Sequence, residues 1–172
     1  MTGQTGPFLM VEQIRGRKPR FPTNQRDLIV ACMPMRSRVN PSRIARTAGF
    51  FGLKRLVLGG NVKLDPEIAR SSVEFLDLSY PRTLARELEK IRKTEGFRLV
   101  GLEQTTQSQS IFDYQFDQKT VLVIGNERTG ISQEVLDMLD EVVEIPVYGQ
   151  PASLNAASSA MIGIYEYCRQ FP

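Results

Sequence analysis

The stretch VLVIGNERTGIS, residues 121–132, and its continuation QEVLDMLDEVVEIPVYGQPASLNAASSAMIGIYEYCR, residues 133–169, decide how this chain is read. Two short apolar runs each break at a turn. Val121-Leu122-Val123-Ile124 stops at Gly125; Val142-Val143-Glu144-Ile145 stops at Pro146 and leads to Gly149. Each break precedes a helix start, at Ser132 before Gln133-Glu134 and at Ser153 before Leu154-Asn155. Ligands of α/β proteins sit outside the carboxyl ends of such strands. Two strand ends followed by polar residues therefore predict a binding site.

The same alternation runs back toward the N-terminus. Leu28-Ile29-Val30-Ala31-Cys32-Met33 is a continuous apolar run closed by Pro34, the pattern of a strand buried on both faces. Asn40 suits a helix N-cap and Pro41 the first helical position. Ile44, Ala45, Ala48 and Phe51 then share one apolar helix face, and Gly52 suits the stop. Arg43 and Arg46, three apart, are neighbours on that helix. Leu56-Val57-Leu58 predicts a strand ending at Gly59-Gly60, Asp65-Pro66-Glu67 a capped first turn, and Phe75 to Leu78 another strand. Leu84, Leu88 and Ile91 predict a helix from Pro81 to Thr94, stopped by Gly96. Arg98 to Glu103 is the next strand, and a polar stretch follows from Gln104 to Ser110. The last helix spans Leu154 to Gln170, with small residues in its first half that allow close approach. About six strands alternating with helices imply an α/β fold, a mostly parallel sheet with helices on both faces. The strand order does not follow from the pattern.

The chain's 172 residues suit one domain with a real core, expected over residues 26–172. Residues 1–25 hold three glycines, three prolines and the cluster Arg15, Arg17, Lys18 and Arg20. They predict a basic flexible arm, either simply solvated or in contact with phosphates. No apolar run nears the ~18 residues of a membrane span, and the N-terminus has no apolar signal core. A cytoplasmic protein with no membrane partner is expected. The net charge of +3 and pI of about 9.0 are compatible with nucleic acid. There is no histidine. That removes histidine bases, Ser-His triads and histidine metal ligands together. Cys32 and Cys168 lack metal or redox spacing and read as core residues, so no metal is expected.

No Gly-x-Gly-x-x-Gly and no Gly-x-x-x-x-Gly-Lys-Ser/Thr motif is present, so the usual dinucleotide and P-loop readings lack support. Three polar sets at strand–helix junctions remain: Asn40 with Arg46, Asn126-Glu127-Arg128 with Gly130, and Ser153 with Asn155. Singly, each also fits a structural role. Asn40 and Ser153 suit caps, Arg46 a surface ion pair, and Glu127 and Arg128 loop charges. Asn155 is harder to place without function, since asparagine is a poor helix former away from the start.

Together the three sets resemble the SpoU (TrmH) family of the SPOUT class, RNA 2′-O-ribose methyltransferases that use S-adenosylmethionine. The first motif is Asn40-Pro-Ser-Arg-Ile-Ala-Arg46-Thr-Ala-Gly-Phe-Phe-Gly52. The second is Val121-Leu-Val-Ile-Gly125-Asn-Glu127-Arg-Thr-Gly130. The third is Ile145-Pro-Val-Tyr-Gly149-Gln-Pro-Ala-Ser153-Leu154-Asn155. The likeness runs from about Leu28 to Arg169. Ser42 stands where the family often has glycine, and Ala-Ala-Ser-Ser follows Asn155 in place of the common Val-Ser-Val.

The resemblance implies a C-terminal deep trefoil knot, a homodimer with active sites near the subunit interface, and an apolar face on the helix after Asn40 available for that contact. It implies cofactor binding by backbone loops containing Gln104, Thr105, Gly125, Ile145, Gly149, Ser153 and Leu154. It implies Arg46 as the group acting on the acceptor hydroxyl, by taking its proton or electrostatically, with Asn40, Glu127, Ser153 and Asn155 shaping the site. The short flanks around the core, the run Gly125 to Gly130 and the ending Tyr165 to Gln170 most resemble enzymes acting on the D-loop guanosine of tRNA. A ribosomal RNA substrate and an inactive RNA-binding homologue are the alternatives. Arg36, Arg38 and Arg43 are candidate phosphate contacts.

Overall fold

The computed structural model describes residues 26–150 and 153–172, together with Gln13. The arm expected over residues 1–25, with its Arg15, Arg17, Lys18 and Arg20, thus lies outside the described residues apart from Gln13. In chain order come β1 (Leu28–Cys32), α1 (Val39–Phe50), β2 (Arg55–Leu58), α2 (Pro66–Ala69), a 3-10 turn (Arg70–Phe75), β3 (Asp77–Ser79), α3 (Leu84–Glu95), β4 (Arg98–Leu102), β5 (Gln109–Ser110), β6 (Thr120–Ile124), α4 (Gln133–Leu136), β7 (Glu141–Glu144) and α5 (Ala156–Gln170). The seven strands form one sheet in the order β3-β2-β1-β6-β4-β7-β5. Every pairing is parallel.

The central strands are apolar on both faces because both faces are covered. Along β1 and β6, Leu28, Val30, Cys32, Leu122 and Ile124 join one core with Ile44, Ala45 and Ala48 of α1 and Ala160, Ile164 and Tyr167 of α5. The intervening Ile29, Ala31, Val121 and Val123 join a second core with Leu84, Leu88 and Ile91 of α3 and Val135 of α4. Each fully buried aliphatic side chain contributes roughly 1.5–3 kcal/mol. The small residues of α5 permit the expected close approach: a Cβ at Gly163 would stand 2.7 Å from Leu122 Cδ2. Cys32 and Cys168 are both buried.

Several local expectations are corrected. Asn40 is not a cap. α1 starts at Val39 with Arg38 at the N-cap position, and no side chain caps it. Ser42, where glycine is common, is buried; its hydroxyl donates to Arg38 O at 2.6 Å and accepts from Asp65 N at 2.7 Å. It thereby fastens the first turn of α1 to Asp65, which caps α2 by accepting from Glu67 N. The last helix starts at Ala156, two residues later than expected, and Asn155 rather than Ser153 caps it. Asn155 Oδ1 accepts from Ala157 N at 3.0 Å and from Ser158 N at 3.4 Å. The seventh strand, β5, lies in the polar stretch after β4. The apolar face of α1 packs inside the protein's own core, so it is not available to a partner.

Candidate functional site

All strands point the same way, so the loops after β1, β4, β6 and β7 gather at one end of the sheet. The loop after β6 is folded on itself. Asn126 and Gly130 exchange backbone hydrogen bonds of 2.9 and 3.0 Å, and Asn126 Oδ1 accepts from Arg128 N and Thr129 N. Gly130 has a φ of +64°, which favours glycine. This turn sets Glu127 against α1.

Asn40, Glu127 and Asn155 come together in one chain of hydrogen bonds. Asn40 Nδ2 donates to Glu127 Oε1 at 2.9 Å, and Asn155 Nδ2 donates to Asn40 Oδ1 at 3.1 Å. Asn155 Oδ1 accepts from the first turn of α5. Both amides therefore have a donor and an acceptor satisfied within the protein. The chain ties α1, the β6–α4 loop and the start of α5 to one another across sequence separations of 87 and 115 residues.

A cleft of about 320 Å³ opens between the β4 and β7 ends and the start of α5; Leu102, Gln104, Ile145, Gly149, Ser153 and Leu154 are among its walls. That volume lies near the lower bound of small-molecule sites. The mix of apolar side chains and exposed backbone suits a ligand with both apolar and polar parts. Five of the seven expected cofactor residues line it. Thr105 and Gly125 do not. Thr105 closes its own loop, donating its N–H to Ser108 Oγ at 3.1 Å and accepting from that hydroxyl at 2.8 Å. Gly125 backs onto Glu103, which does line the cleft: a Cβ at Gly125 would stand 2.9 Å from Glu103 Oε2.

The resemblance places Glu103 with Gln104 and Thr105 in a backbone cofactor loop; what the sequence does not show is the role of its side chain. Its carboxylate accepts from Gln104 N at 3.1 Å and from Ile131 N at 3.0 Å. It joins the β4 end to the β6–α4 loop. The available signal was the pair Gly125 and Gly130, both of which abut this one carboxylate.

Arg46 is not brought to this cluster. Six residues along an α-helix turn it about 240° from Asn40. It is exposed, and no other described residue pairs with its guanidinium. It instead shares a helix face with Phe50, four residues on, which is 81% exposed. Cys32, buried at the β1 end, is no nucleophile: burial first, and the negative charge of Glu127 second, push its thiol up to about 12. Among the described residues no cluster of histidine, cysteine, aspartate or glutamate could hold a metal ion, and no helix is long and apolar enough to cross a membrane.

Known proteins share this sequence pattern and fold. A family model described as the SpoU rRNA methylase family matches residues 27–165. A mouse protein named tRNA (guanosine(18)-2′-O)-methyltransferase TARBP1 is 35% identical over 83% of this chain, which spans 9% of its length. A tRNA (guanosine(18)-2′-O)-methyltransferase of Aquifex aeolicus is 30% identical over 85% of the chain and is covered over 71% of its own length. The solved structure of the SpoU methyltransferase AviRb from Streptomyces viridochromogenes, in complex with AdoMet, aligns with a TM-score of 0.76 and 30% identity. That alignment covers 88% of this chain and 63% of the other.

Proposed function

Because this chain belongs to the SpoU methylase family, we propose that it transfers a methyl group from S-adenosylmethionine to a ribose 2′-hydroxyl of RNA, with guanosine 18 in the D-loop of tRNA as the substrate. The observation that carries this reading is the Glu127–Asn40–Asn155 hydrogen-bond chain set beside the cleft between β4, β7 and α5. The names of the mouse and Aquifex aeolicus relatives favour tRNA. The ribosomal RNA in the family description is the second reading.

The cleft fits the cofactor. Leu102, Ile145 and Leu154 offer apolar contact, while Gln104, Gly149 and Ser153 bring polar groups to its walls. When bound, S-adenosylmethionine supplies a methyl carbon on a positively charged sulfur. Ser153 and Leu154, which line the cleft, would hold that group, with Asn155 hydrogen-bonded to Asn40 and to the first turn of α5. Asn40 and Glu127 are positioning residues, since their polar atoms bind protein groups. The acceptor hydroxyl would take up that methyl group and lose its proton to solvent water. Arg46 is assigned to that oxygen. A guanidinium stays protonated, so its role is to favour the negatively charged oxygen left when water takes the hydroxyl proton.

Arg46 meets an acceptor at a subunit interface in this reading. Phe50, on its face of α1, and Met161 and Tyr165 on α5 are 81%, 49% and 58% exposed. Phe51 links the two helices, its ring centroid 5.2 Å from Phe50 and 6.3 Å from Tyr165. A second copy seated there covers this apolar patch and places Arg46 against the partner. Phe50→Glu is expected to yield monomers by light scattering and to lose methyl transfer in the same step. A variant that is monomeric and fully active would sink the shared site.

The C-terminal segment is assigned the family's deep trefoil knot. The placement of β4 between β6 and β7, with α5 close against β6, supports it. A cytoplasmic location accords with RNA as substrate.

The test is transfer of labelled methyl from S-adenosylmethionine to unmodified tRNA transcripts and, separately, ribosomal RNA, with the product nucleoside identified by mass spectrometry. A 2′-O-methylguanosine at position 18 of tRNA is expected; label only in ribosomal RNA selects the second reading. Arg46→Ala should lower transfer by about 10²–10⁴-fold while cofactor affinity holds. Equal loss of binding and turnover would remove its assigned role.

A further inference from the structure

At the same end of the sheet lies a second concavity, of about 380 Å³, beyond the β1 and β2 ends; Arg36, Arg38, Gly60, Asn61 and Lys63 are among its walls. Two hydrogen bonds join it to its surroundings. Asn126 Nδ2 donates to Pro34 O at 2.6 Å, linking it to the loop that carries Glu127 and Arg128. Gly60 N donates to Pro81 O at 3.1 Å, linking it to the approach of α3. There Arg82 and Arg86 line a further concavity of about 570 Å³.

Arg36, Lys63, Arg82, Arg86 and Arg128 are all exposed, and none of the five forms an ion pair among the described residues. Three acids along this band are already paired, while Glu127, beside Arg128, accepts only from the Asn40 amide and keeps its charge. Asp65 holds Arg38 at 3.3 Å, Glu87 holds Lys90 at 3.6 Å, and Glu89 holds Lys93 at 2.6 Å. The band is therefore net positive. The cations gain no pairing energy from the fold, and they repel one another. A polyanion laid along the band relieves that repulsion and releases its own counterions. Tyr80 stands beside Pro81 with 42% exposure, an aromatic face among the cations on which a base can stack.

We infer that the band from Arg128 through Arg36 and Lys63 to Arg82 and Arg86 is a track for the RNA phosphates that flank the reacting nucleotide, with Tyr80 as a stacking face. This rests on the RNA-methylating reading above. The track directs the RNA away from the cofactor cleft and past Glu127 and Asn40, toward the β3 edge of the sheet.

Two charge-matched variants test it. Lys63→Gln with Arg82→Gln removes two charges from the track. Lys54→Gln with Lys119→Gln removes two exposed charges near the amino end of the sheet, around another concavity. Each takes the net charge from +3 to +1 (3 − 2 = 1). Binding of an unmodified tRNA transcript is titrated between about 50 and 200 mM salt. The track variant should bind on the order of tenfold more weakly, with its log–log salt slope smaller by roughly 1.5. Its KM for RNA should rise while kcat and cofactor affinity hold. The amino-end variant should match the parent. Equal losses in both variants would show only the overall field acting, and an unchanged track variant would show no contact; either overturns the inference. Polyglutamate of matched charge competing as well as the transcript would reassign the band to an acidic protein and overturn it too. A parent protein that binds RNA through the track yet transfers no methyl to it would instead sink the methyltransferase reading and leave the track standing.

Discussion

The two ends of the parallel sheet use the same charged residue types in opposite ways. At the amino end three arginines are paired with carboxylates. Arg55 meets Glu95 at 2.5 Å, Arg92 meets Asp140 at 2.8 Å, and Arg98 lies between Asp117 and Glu141 at 3.2 and 3.3 Å. Asp140 also accepts from Leu99 N, at 2.7 Å, tying the approach to β7 to the start of β4. At the carboxyl end, acids accept from amides. Glu103 takes two backbone N–H groups and Glu127 takes Asn40, while Arg36, Lys63 and Arg82 form no ion pairs among the described residues. A cation already matched by a carboxylate adds little to the attraction for phosphate. An unmatched one that lies along a continuous band is free to meet a partner's charge. The difference separates the part of the molecule that holds itself together from the part that holds something else.

The largest effect is expected at Asn40. Asn40→Asp replaces the amide donor by a carboxylate facing Glu127, where the donor–acceptor distance is now 2.9 Å. The two carboxylates repel, and the loop before α5 loses its fixed register. Methyl transfer should fall by about 10²-fold or more, as misplaced groups typically cost. Asn40→Ala, which removes both hydrogen bonds without adding charge, should lose less. Sharing a proton raises the pKa of such a pair, so part of the Asn40→Asp loss should return as pH is lowered. A pH-independent Asn40→Asp, no worse than Asn40→Ala, would show that the carboxylates do not face each other.

Gly130 tests the rigidity of the same end. Its φ of +64° strains any side chain, and an alanine Cβ would stand 2.5 Å from Glu103 Oε2. Gly130→Ala should cost about 1–3 kcal/mol in stability. Transfer should suffer beyond the loss of folded protein, since Glu103 lines the cleft. Thermal unfolding with activity per folded molecule separates the two effects. A stability loss with normal turnover would confine Glu103 to a structural role.

Much of this was legible, for identifiable reasons. β1 declared itself because both of its faces are buried, so its apolar run is unbroken. α3 was legible because Leu84, Leu88 and Ile91 meet a core at helical spacing. β5 was not, because a two-residue edge strand made of Gln109 and Ser110 carries no apolar signature. Asn40 misled because local preference favours a cap, whereas its side chain is claimed by Glu127 and Asn155, far away in sequence. Asn40, Glu127 and Asn155 are each unremarkable alone, and only the family pattern joined them before the fold did. Arg46 belonged to that pattern and yet faces away from the cluster. A motif read along a line does not reveal that six residues of helix turn it to another face, and the Glu103 carboxylate stood in no motif at all.

The smallest effect belongs to the amino end, and its response to salt distinguishes the two ends. Arg98 is 46% exposed between carboxylates that are 55% and 39% exposed. Solvent screens all three groups, so Arg98→Gln should cost no more than about 1 kcal/mol. What remains after the substitution is two carboxylates without their cation. That repulsion weakens as salt rises, so the stability difference from the parent should shrink toward zero in high salt. RNA affinity at low salt should hold, because Arg98 is already matched and faces away from the track. Lys63→Gln, also one positive charge, should behave in the reverse way, with stability nearly unchanged and RNA affinity reduced most where salt is lowest. If Arg98→Gln weakened RNA binding as much as Lys63→Gln, pairing would not decide which cations are available, and the contrast between the two ends would fail.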